Sequence, residues 1–363
     1  MERELIKIIH PIGQGAFISE RHDNFNVVYD CGVDWPNRNS KYVYQLVKNS
    51  FAKGATIDIL FISHFDYDHI SKIPILQTNF RIKKVVMPFI SSENRFLLSE
   101  LYKGMGVTQD IQSIIDSPQD FFSESQIIEV QPFENNEEET QAPTIQIDDI
   151  KTPFITSGTK LRIDFWEYIP FNLDHLSRSK QFLSLLKAEG IDPKKLSKHF
   201  VYTEQLRKKL KRLYEKVKGD INQNSMVIYS GPINPNISAL KYYDLKQSIS
   251  LFPRYRRTLK NRISSVYTGD SSMNDYDLKN IFGSNWKKVI MFQIPHHGDI
   301  KSVDIKQLSK DSYICPINFG SYNTYGHPSN NVLAELGKND QYIKLVTEDP
   351  SSILMIKILY ETK

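Results

Sequence analysis

Four side chains that can bind metal lie within six residues of one another: His64, Asp66, Asp68 and His69. The apolar run 60–62 precedes them, so they fall on the loop that leaves a buried strand. Alternate residues of such a loop can point the same way. Imidazole and carboxylate groups are ligands of divalent cations. The segment therefore predicts a metal site of the kind that hydrolases use.

Three later segments place similar residue types at or just after predicted strand ends: Thr268-Gly269-Asp270, Ile294-Pro295-His296-His297-Gly298-Asp299 and Tyr325-Gly326-His327-Pro328. Taken alone, a Thr-Gly-Asp turn or a histidine before proline is more often structural. However, five of the nine histidines lie in these segments or in the first loop. Together the segments predict one shared site.

The elements that must position these residues alternate between strand and helix in both flanks of the chain. Strands are predicted at 5–9, 26–29, 82–87, 226–229, 264–268, 288–293, 313–317, 342–346 and 353–359. Helices are predicted at 41–51, 94–102 and 275–281, and after a Ser329 cap. The pattern indicates an α/β fold.

The middle of the chain has a different character, being polar and predicted to be mainly helical. A helix pair is expected at 177–188 and 203–217, and the acidic stretch 134–139 is typical of a solvated loop. We therefore expect three parts: a first α/β half at 1–90, a helical insertion or cap at 91–221, and a second half at 222–363.

Composition sets broad limits. The 363 residues are 40% hydrophobic, enough for a sizeable core, and the net charge of +4 permits a polyanionic partner without requiring one. Two distant cysteines, Cys31 and Cys315, exclude a disulfide framework and favour a reducing cytoplasm. The sequence has neither a signal peptide nor a long apolar span, so we expect no membrane association.

The order of the four motifs resembles the metallo-β-lactamase fold superfamily, and most closely the metallo-β-lactamase domain of the DNA-uptake channel protein ComEC and its stand-alone relatives. The segments Ile12-Gly13-Gln14-Gly15, Asp30-Cys31-Gly32 and Asn224-Ser225 also match that branch. The resemblance covers roughly 5–90 and 222–335.

The resemblance implies an αββα four-layer sandwich that holds two divalent metals. Asp68 and His69 would serve one metal, His64 and Asp66 the other, and Asp270 would bridge them. A shared carboxylate is physically reasonable, because it offsets the repulsion between two close cations. His296 would complete the second site, whereas the neighbouring His297 is expected to point away.

Two departures from the usual family pattern affect the expected metal. Asp66 replaces a histidine, and no convincing further histidine ligand is found between His69 and Asp270. The oxygen-rich ligand set favours Mn²⁺ or Mg²⁺, with Zn²⁺ still accommodated.

The resemblance implies nuclease or phosphodiesterase activity on DNA or RNA, with Asp68, Asp270 and His327 as catalytic residues. Asp68 would also orient the attacking water, and His327 would contact charge developing on the substrate. Weaker candidates for substrate binding are His297, Asn224, Arg207, Lys211, Arg256 and Arg257. The basic ones would contact phosphates.

Two rival functions remain open. One is hydrolysis of a small ester, lactone, thioester or phosphoester, with the insertion narrowing the cleft. The other is a non-catalytic, metal-stabilised subunit that docks a partner protein. The resemblance also implies a setting in antiviral defence, where a regulatory protein partner would restrain a nuclease.

Overall fold

The structure is a computed structural model. It describes residues 2–34, 40–133, 143–173, 184–191, 205–206, 209, 212–213, 225–234, 239–244, 249–250, 262–308 and 311–361. Its strands are β1 (Glu2–Ile9), β2 (Phe17–His22), β3 (Asn26–Cys31), β4 (Thr56–Phe61), β5 (Arg81–Pro88), β6 (Gln126–Val130), β7 (Thr144–Gln146), β8 (Phe154–Ile155), β9 (Lys160–Ile163), β10 (Trp166–Asn172), β11 (Met226–Pro232), β12 (Ala239–Asp244), β13 (Ile249–Ser250), β14 (Ser264–Tyr267), β15 (Val289–Phe292), β16 (Ile314–Asn318), β17 (Tyr342–Val346) and β18 (Leu354–Glu361). Its α-helices are α1 (Ser40–Lys48), α2 (Tyr67–Ile70), α3 (Ile73–Asn79), α4 (Ser92–Met105), α5 (Gln109–Asp116), α6 (Pro118–Phe121), α7 (Leu278–Phe282) and α8 (Asn330–Lys338).

The strands form two sheets. The first has the order β13-β12-β18-β1-β2-β3-β4-β5-β6-β8, and the second the order β17-β16-β15-β14-β11-β10-β9-β7. Strands β3, β4, β5 and β6 run parallel in the first sheet, as do β14, β15, β16 and β17 in the second. The ligand-bearing segments follow parallel strands, so they leave at the carboxyl ends.

Three hydrophobic clusters separate the layers. Phe61 belongs to the cluster between the sheets, whereas its neighbour Leu60 belongs to the cluster beneath α1 and α3. This alternation follows from the two-residue period of a strand. The third cluster packs α7 and α8 on the outer face of the second sheet. The expected αββα sandwich is confirmed.

The middle of the chain corrects one expectation. Helices α4, α5 and α6 are present, but the helical character expected for 91–221 is wrong over 126–130 and 144–172, and the acidic loop expected at 134–139 lies outside the described residues. These two stretches supply β6 and β8 to the first sheet and β7, β9 and β10 to the second. All seven residues of β10 are buried, which requires a strand covered on both faces.

Much of the expected helix pair lies outside the described residues, although 184–188 are helical. None of the described helices is long and apolar enough to cross a membrane.

Candidate metal centre

Four potential ligands from three segments converge at one point. Ligand atoms of Asp68, His69, Asp270 and His297 all lie within 4.8 Å of one another. Asp68 and His69 lie on α2, just after β4, while Asp270 follows β14 and His297 follows β15. The carboxyl ends of parallel strands thus build the site.

Asp270 is the centre of the cluster. Its Oδ1 lies 3.2 Å from Nε2 of His69. Its Oδ2 lies 3.9 Å from Nε2 of each of three further histidines, His64, His296 and His297. The Asp270 side chain is only 1% exposed. A buried carboxylate surrounded by four imidazoles can be shared between two cations.

We expected His297 to point away from the site, but its ring points into the site. Its Nε2 lies 3.2 Å from Oδ2 of Asp68, and its Nδ1 lies 2.8 Å from the carbonyl of Asn318. A carbonyl only accepts, so Nδ1 carries the hydrogen and Nε2 is left for a metal. His296 and His297 both have positive φ values, 49° and 52°, so strand-like alternation does not apply to them.

His64 is prepared to bind a cation. Its Nδ1 lies 2.8 Å from Oγ of Ser63 and 3.0 Å from Oγ of Ser225. Its Nε2 is buried without a hydrogen-bond partner, 3.9 Å from Oδ2 of Asp66. Burial, together with the nearby His69, lowers the pKa of His64 to about 3, so the ring is neutral. A buried neutral nitrogen without a partner fits a metal ligand.

His69 is held by Asp30, a residue that we did not assign to the site from sequence. Oδ2 of Asp30 lies 2.8 Å from Nδ1 of His69. Ser63 donates to the same carboxylate from its backbone N–H and its hydroxyl, at 2.7 and 2.6 Å. Ser63 and Ser225 likewise escaped assignment. The available signal for Asp30 was its position at a strand end, two residues before Gly32.

The electrostatics of the cluster favour bound positive charge. Burial alone would raise the pKa of Asp270, but His69, His297 and His296 hold it well below its usual range. Burial alone would lower the pKa of His69, but the carboxylates of Asp270, Asp68 and Asp30 raise it well above its usual range. The carboxylates of the cluster therefore stabilise a proton on His69, and the positive charge of a bound cation can replace the charge of that proton.

Two glycines let the ligand-bearing helix approach the first sheet. A Cβ added to Gly15 would lie 2.4 Å from the carbonyl oxygen of Gly32 and 2.6 Å from that of Asp68. A Cβ added to Gly32 would lie 2.5 Å from the Asp68 carbonyl carbon. The backbone carrying Asp68 is thus fixed by contacts that no larger residue permits.

A second group lies beside the cluster. Asp299, which we did not predict, lies 3.6 Å from Nδ1 of His296 and 3.7 Å from Nε2 of His327. The rings of His296 and His327 are 5.3 Å apart. Burial, with His296 nearby, lowers the pKa of His327. His327 is therefore a neutral group on the wall of the site at neutral pH.

An open pocket of about 550 Å³ gives access to the centre. Asp66, Asp68, His296, His297 and His327 all line it. The remaining predicted residues, Asn224, Arg207, Lys211, Arg256 and Arg257, lie outside the described residues.

Comparison with known proteins gives a family match over part of the chain. Residues 16–147, which are 132 of 363, match the metallo-beta-lactamase superfamily model. No curated protein matches the sequence.

Two solved structures are similar at low identity. The metallo-beta-lactamase fold protein YhfI from Bacillus subtilis has 9% identity and a TM-score of 0.37, with 95% of this chain and 97% of that chain covered. A mutant of the CmlA beta-hydroxylase has 10% identity and a TM-score of 0.43, with 96% of this chain and 53% of that chain covered. At these TM-scores neither likeness informs function. The layered fold, the family match and the ligand cluster together support a metal-dependent hydrolase.

Proposed function

We propose that the protein is a metal-dependent phosphodiesterase that cleaves nucleic acid. The observation that carries this proposal is the position of Asp270, whose carboxylate faces Nε2 of four histidines within 3.9 Å. A shared carboxylate can hold two cations close enough together to clamp the attacking and leaving oxygens of a phosphodiester. The sequence resemblance to ComEC-type domains supports the same substrate class.

The chain offers two ligand groups on either side of Asp270. Asp68, His69 and His297 would hold one cation, and His64 with Asp66 would hold the other, next to His296. Bound divalent cations would lower the pKa of water and offset charge on a phosphodiester in an in-line displacement.

Other residues of the site would orient the attacking water, stabilise charge on the substrate and hold the histidine ligands in position. Asp68, exposed to the pocket, is placed to accept a hydrogen bond from the attacking water. His327, neutral at neutral pH, would donate a hydrogen bond from Nε2 to charge developing on the phosphate, since Nδ1 is buried and Asp299 lies 3.7 Å from Nε2, beyond hydrogen-bond distance. Asn318 and Asp30 would keep His297 and His69 in position.

The ligand set bears on the choice of metal. The first ligand group consists of the imidazoles of His69 and His297 and the carboxylates of Asp68 and the shared Asp270. The second group contains the carboxylate of Asp66. This mixture suits Mn²⁺ and also accommodates Zn²⁺. We propose Mn²⁺ as the activating ion.

A second candidate is hydrolysis of a small ester. The described lining of the pocket carries the carboxylates Asp34, Asp66, Asp68 and Asp299 and one lysine, Lys301. An acidic pocket of this size favours a small substrate over a long polyanion. The dependence of substrate binding on ionic strength distinguishes the two candidate functions. Binding of a nucleic acid should weaken steeply as ionic strength rises, and binding of a small neutral ester should not.

The proposal is tested by incubating the protein with Mn²⁺ and single-stranded or double-stranded DNA and RNA. We expect cleavage by the parent, with EDTA abolishing it. Asp68→Ala and Asp270→Ala should each reduce the rate by at least about 100-fold, since both remove a ligand. Unchanged cleavage by both variants would refute the assignment, and no cleavage by the parent would favour the small-ester candidate.

A further inference from the structure

We propose that Tyr325, Ile300 and Lys301 form a nucleotide subsite at the mouth of the pocket, where a base stacks on Tyr325 and its phosphate contacts Lys301. This subsite rests on the proposed phosphodiesterase function and specifies its substrate: an ester whose scissile phosphate is attached to a nucleoside.

The mouth of the pocket exposes unusual apolar area. Tyr325 is 63% exposed and Ile300 is 47% exposed, and both line the pocket that contains the metal centre. Scattered exposed apolar side chains need no explanation. Two at the rim of one functional pocket indicate a surface for an apolar or planar group.

The backbone of Tyr325 is held in place by its own loop. The side-chain amide of Asn323 accepts from the backbone N–H groups of Tyr325 and His327, at 3.2 and 3.3 Å, and donates to the carbonyls of Gly320 and His327, both at 2.7 Å. One side chain therefore fixes the positions of both Tyr325 and His327.

The far end of the ring is tied to the opposite side of the mouth. The Tyr325 hydroxyl donates to Oδ2 of Asp34, on the segment after β3, at 3.3 Å. An exposed ring anchored at both ends loses little entropy when a planar group stacks on it, so it is suited to binding. Stacking on an aromatic side chain tolerates any base, because every base has a π-face.

Lys301 supplies the complementary charge. Among the described residues that line the pocket, it is the only lysine or arginine. Its backbone is fixed, because its N–H donates to Oδ1 of Asp299 at 3.2 Å and its carbonyl accepts from the side chain of Asn274. An ammonium group beside an apolar rim matches the two parts of a nucleotide, phosphate and base.

The volume of the pocket agrees with this ligand class. About 550 Å³ lies within the range of small-ligand sites and holds a nucleotide next to the metal centre. The same loop carries His327 into the wall of the pocket, with its ring 6.0 Å from that of Tyr325, so a base on Tyr325 would leave the attached phosphate in the part of the pocket that His327 and Lys301 line.

The test compares two esters with the same leaving group in the presence of Mn²⁺: thymidine 5′-(p-nitrophenyl phosphate) and methyl p-nitrophenyl phosphate. Tyr325→Ala should lower kcat/KM for the thymidine ester roughly 5-fold to 100-fold more than for the methyl ester, chiefly through KM, because only the first carries a base. Tyr325→Phe keeps the ring but loses the hydroxyl bond to Asp34, so its kcat/KM for the thymidine ester should fall between those of the parent and Tyr325→Ala. Tyr44→Ala, at a tyrosine of α1 that is 41% exposed, is the matched control and should alter neither ester.

Equal losses on the two esters in Tyr325→Ala, or no loss on either, would overturn the subsite. If the parent hydrolyses neither ester, the DNA and RNA cleavage assay decides the proposed function separately, and the subsite is tested by calorimetric binding of thymidine 5′-monophosphate and deoxyribose 5-phosphate. A weaker affinity of Tyr325→Ala for the nucleotide alone supports the subsite. Unchanged affinity for both ligands contradicts it.

Discussion

At the residue scale, the histidines of the centre share one arrangement: Nε2 faces Asp270 and Nδ1 faces an oxygen. The Nδ1 partners are Ser63 and Ser225 for His64, Asp30 for His69, Ser302 for His296 and Asn318 for His297. Such partners fix the ring orientation before any ligand arrives. The site is therefore organised by the protein itself.

The partner of His69 gives a first prediction. In Asp30→Asn, one end of the side chain becomes an NH₂ group, which cannot accept from His69 or Ser63. We expect Mn²⁺ affinity to fall about 10-fold to 100-fold, measured by isothermal titration calorimetry. Asparagine tolerates the positive φ of 54° at this position, so the fold should be retained. The matched control is Asp58→Asn, which removes a carboxylate that accepts from Asn26 and Lys83 and should leave Mn²⁺ affinity unchanged.

The two adjacent histidines give a second prediction. His297→Ala removes a nitrogen that contacts Asp68 at 3.2 Å, whereas Nε2 of His296 lies 3.9 Å from Oδ2 of Asp270. Calorimetry should therefore show a larger loss of Mn²⁺ affinity in His297→Ala than in His296→Ala. The reverse order would restore the ligand assignment that the sequence suggested.

The adjacent histidines His296 and His297 also show which features of the site the sequence does not predict. Residue types and spacing selected the segments that carry Asp68, His69 and Asp270, and the family resemblance implied that these residues share one site; the structure brings them together. The choice between His296 and His297 depends on backbone angles. Positive φ is uncommon outside glycine, so two successive histidines that adopt it could not be anticipated from a strand-end pattern.

At the element scale, contact between the segment after β3 and α2 sets the position of Asp68. Gly32→Ala would bring a Cβ within 2.5 Å of the Asp68 backbone and displace α2. We expect weaker Mn²⁺ binding and a loss of about 1–3 kcal/mol of stability from overpacking, measured by calorimetry and urea denaturation.

The control for this variant is Gly337→Ala on α8, where an added Cβ meets nothing within 4 Å. It should stabilise the protein by about 0.5–1 kcal/mol through helix propensity and leave metal binding unchanged. Equal effects of the two substitutions would show that the close approach at Gly32 is unimportant.

Sequence patterns located most local elements, because apolar periodicity is a local property. The strands at 126–130 and 144–172 were missed, although Trp166, Tyr168 and Phe171 are typical of a strand. The pairing of β18 with β1, which places Glu361 opposite Glu2, could not be predicted from the sequence, because it depends on the assembled sheet.

At the scale of the whole molecule, a buried charged pair lies between the sheets. Lys7 contacts Glu20 at 3.1 Å, and Tyr168, Tyr267 and Ser230 donate to the same carboxylate. Burial alone would raise the pKa of Glu20, but Lys7, the nearby His22 and the hydrogen bond from Tyr267 hold it below its usual range. The group joins β1 and β2 to the second sheet.

The sign of its pH dependence follows from that shift. A carboxyl with a lowered folded pKa contributes stability above its unfolded pKa, near 4.5, and this contribution is lost on acidification. Buried His10, whose pKa burial lowers to about 3, adds the same trend below its unfolded value of 6.5. The free energy of unfolding from urea denaturation should therefore begin to fall below about pH 6.5, through His10, and fall more steeply below about pH 4.5, through Glu20.

Glu20→Gln should cost about 3–5 kcal/mol at pH 7, because Lys7 then remains buried without its counter-charge. The free energy of unfolding of this variant should also fall less on acidification than that of the parent. Glu335→Gln, in an exposed pair with Lys338, is the control and should change stability by less than about 0.5 kcal/mol. A similar small change in Glu20→Gln would show that the pair does not hold the sheets together.

The most direct test of the shared-carboxylate centre is the number of Mn²⁺ ions bound per chain at neutral pH, measured by equilibrium dialysis and elemental analysis. We predict about two ions for the parent and for Asp23→Ala, a surface control at an aspartate that is 40% exposed, and fewer than about one for Asp270→Ala. A parent that binds less than one ion, or an Asp270→Ala variant that binds as many as the parent, would contradict it.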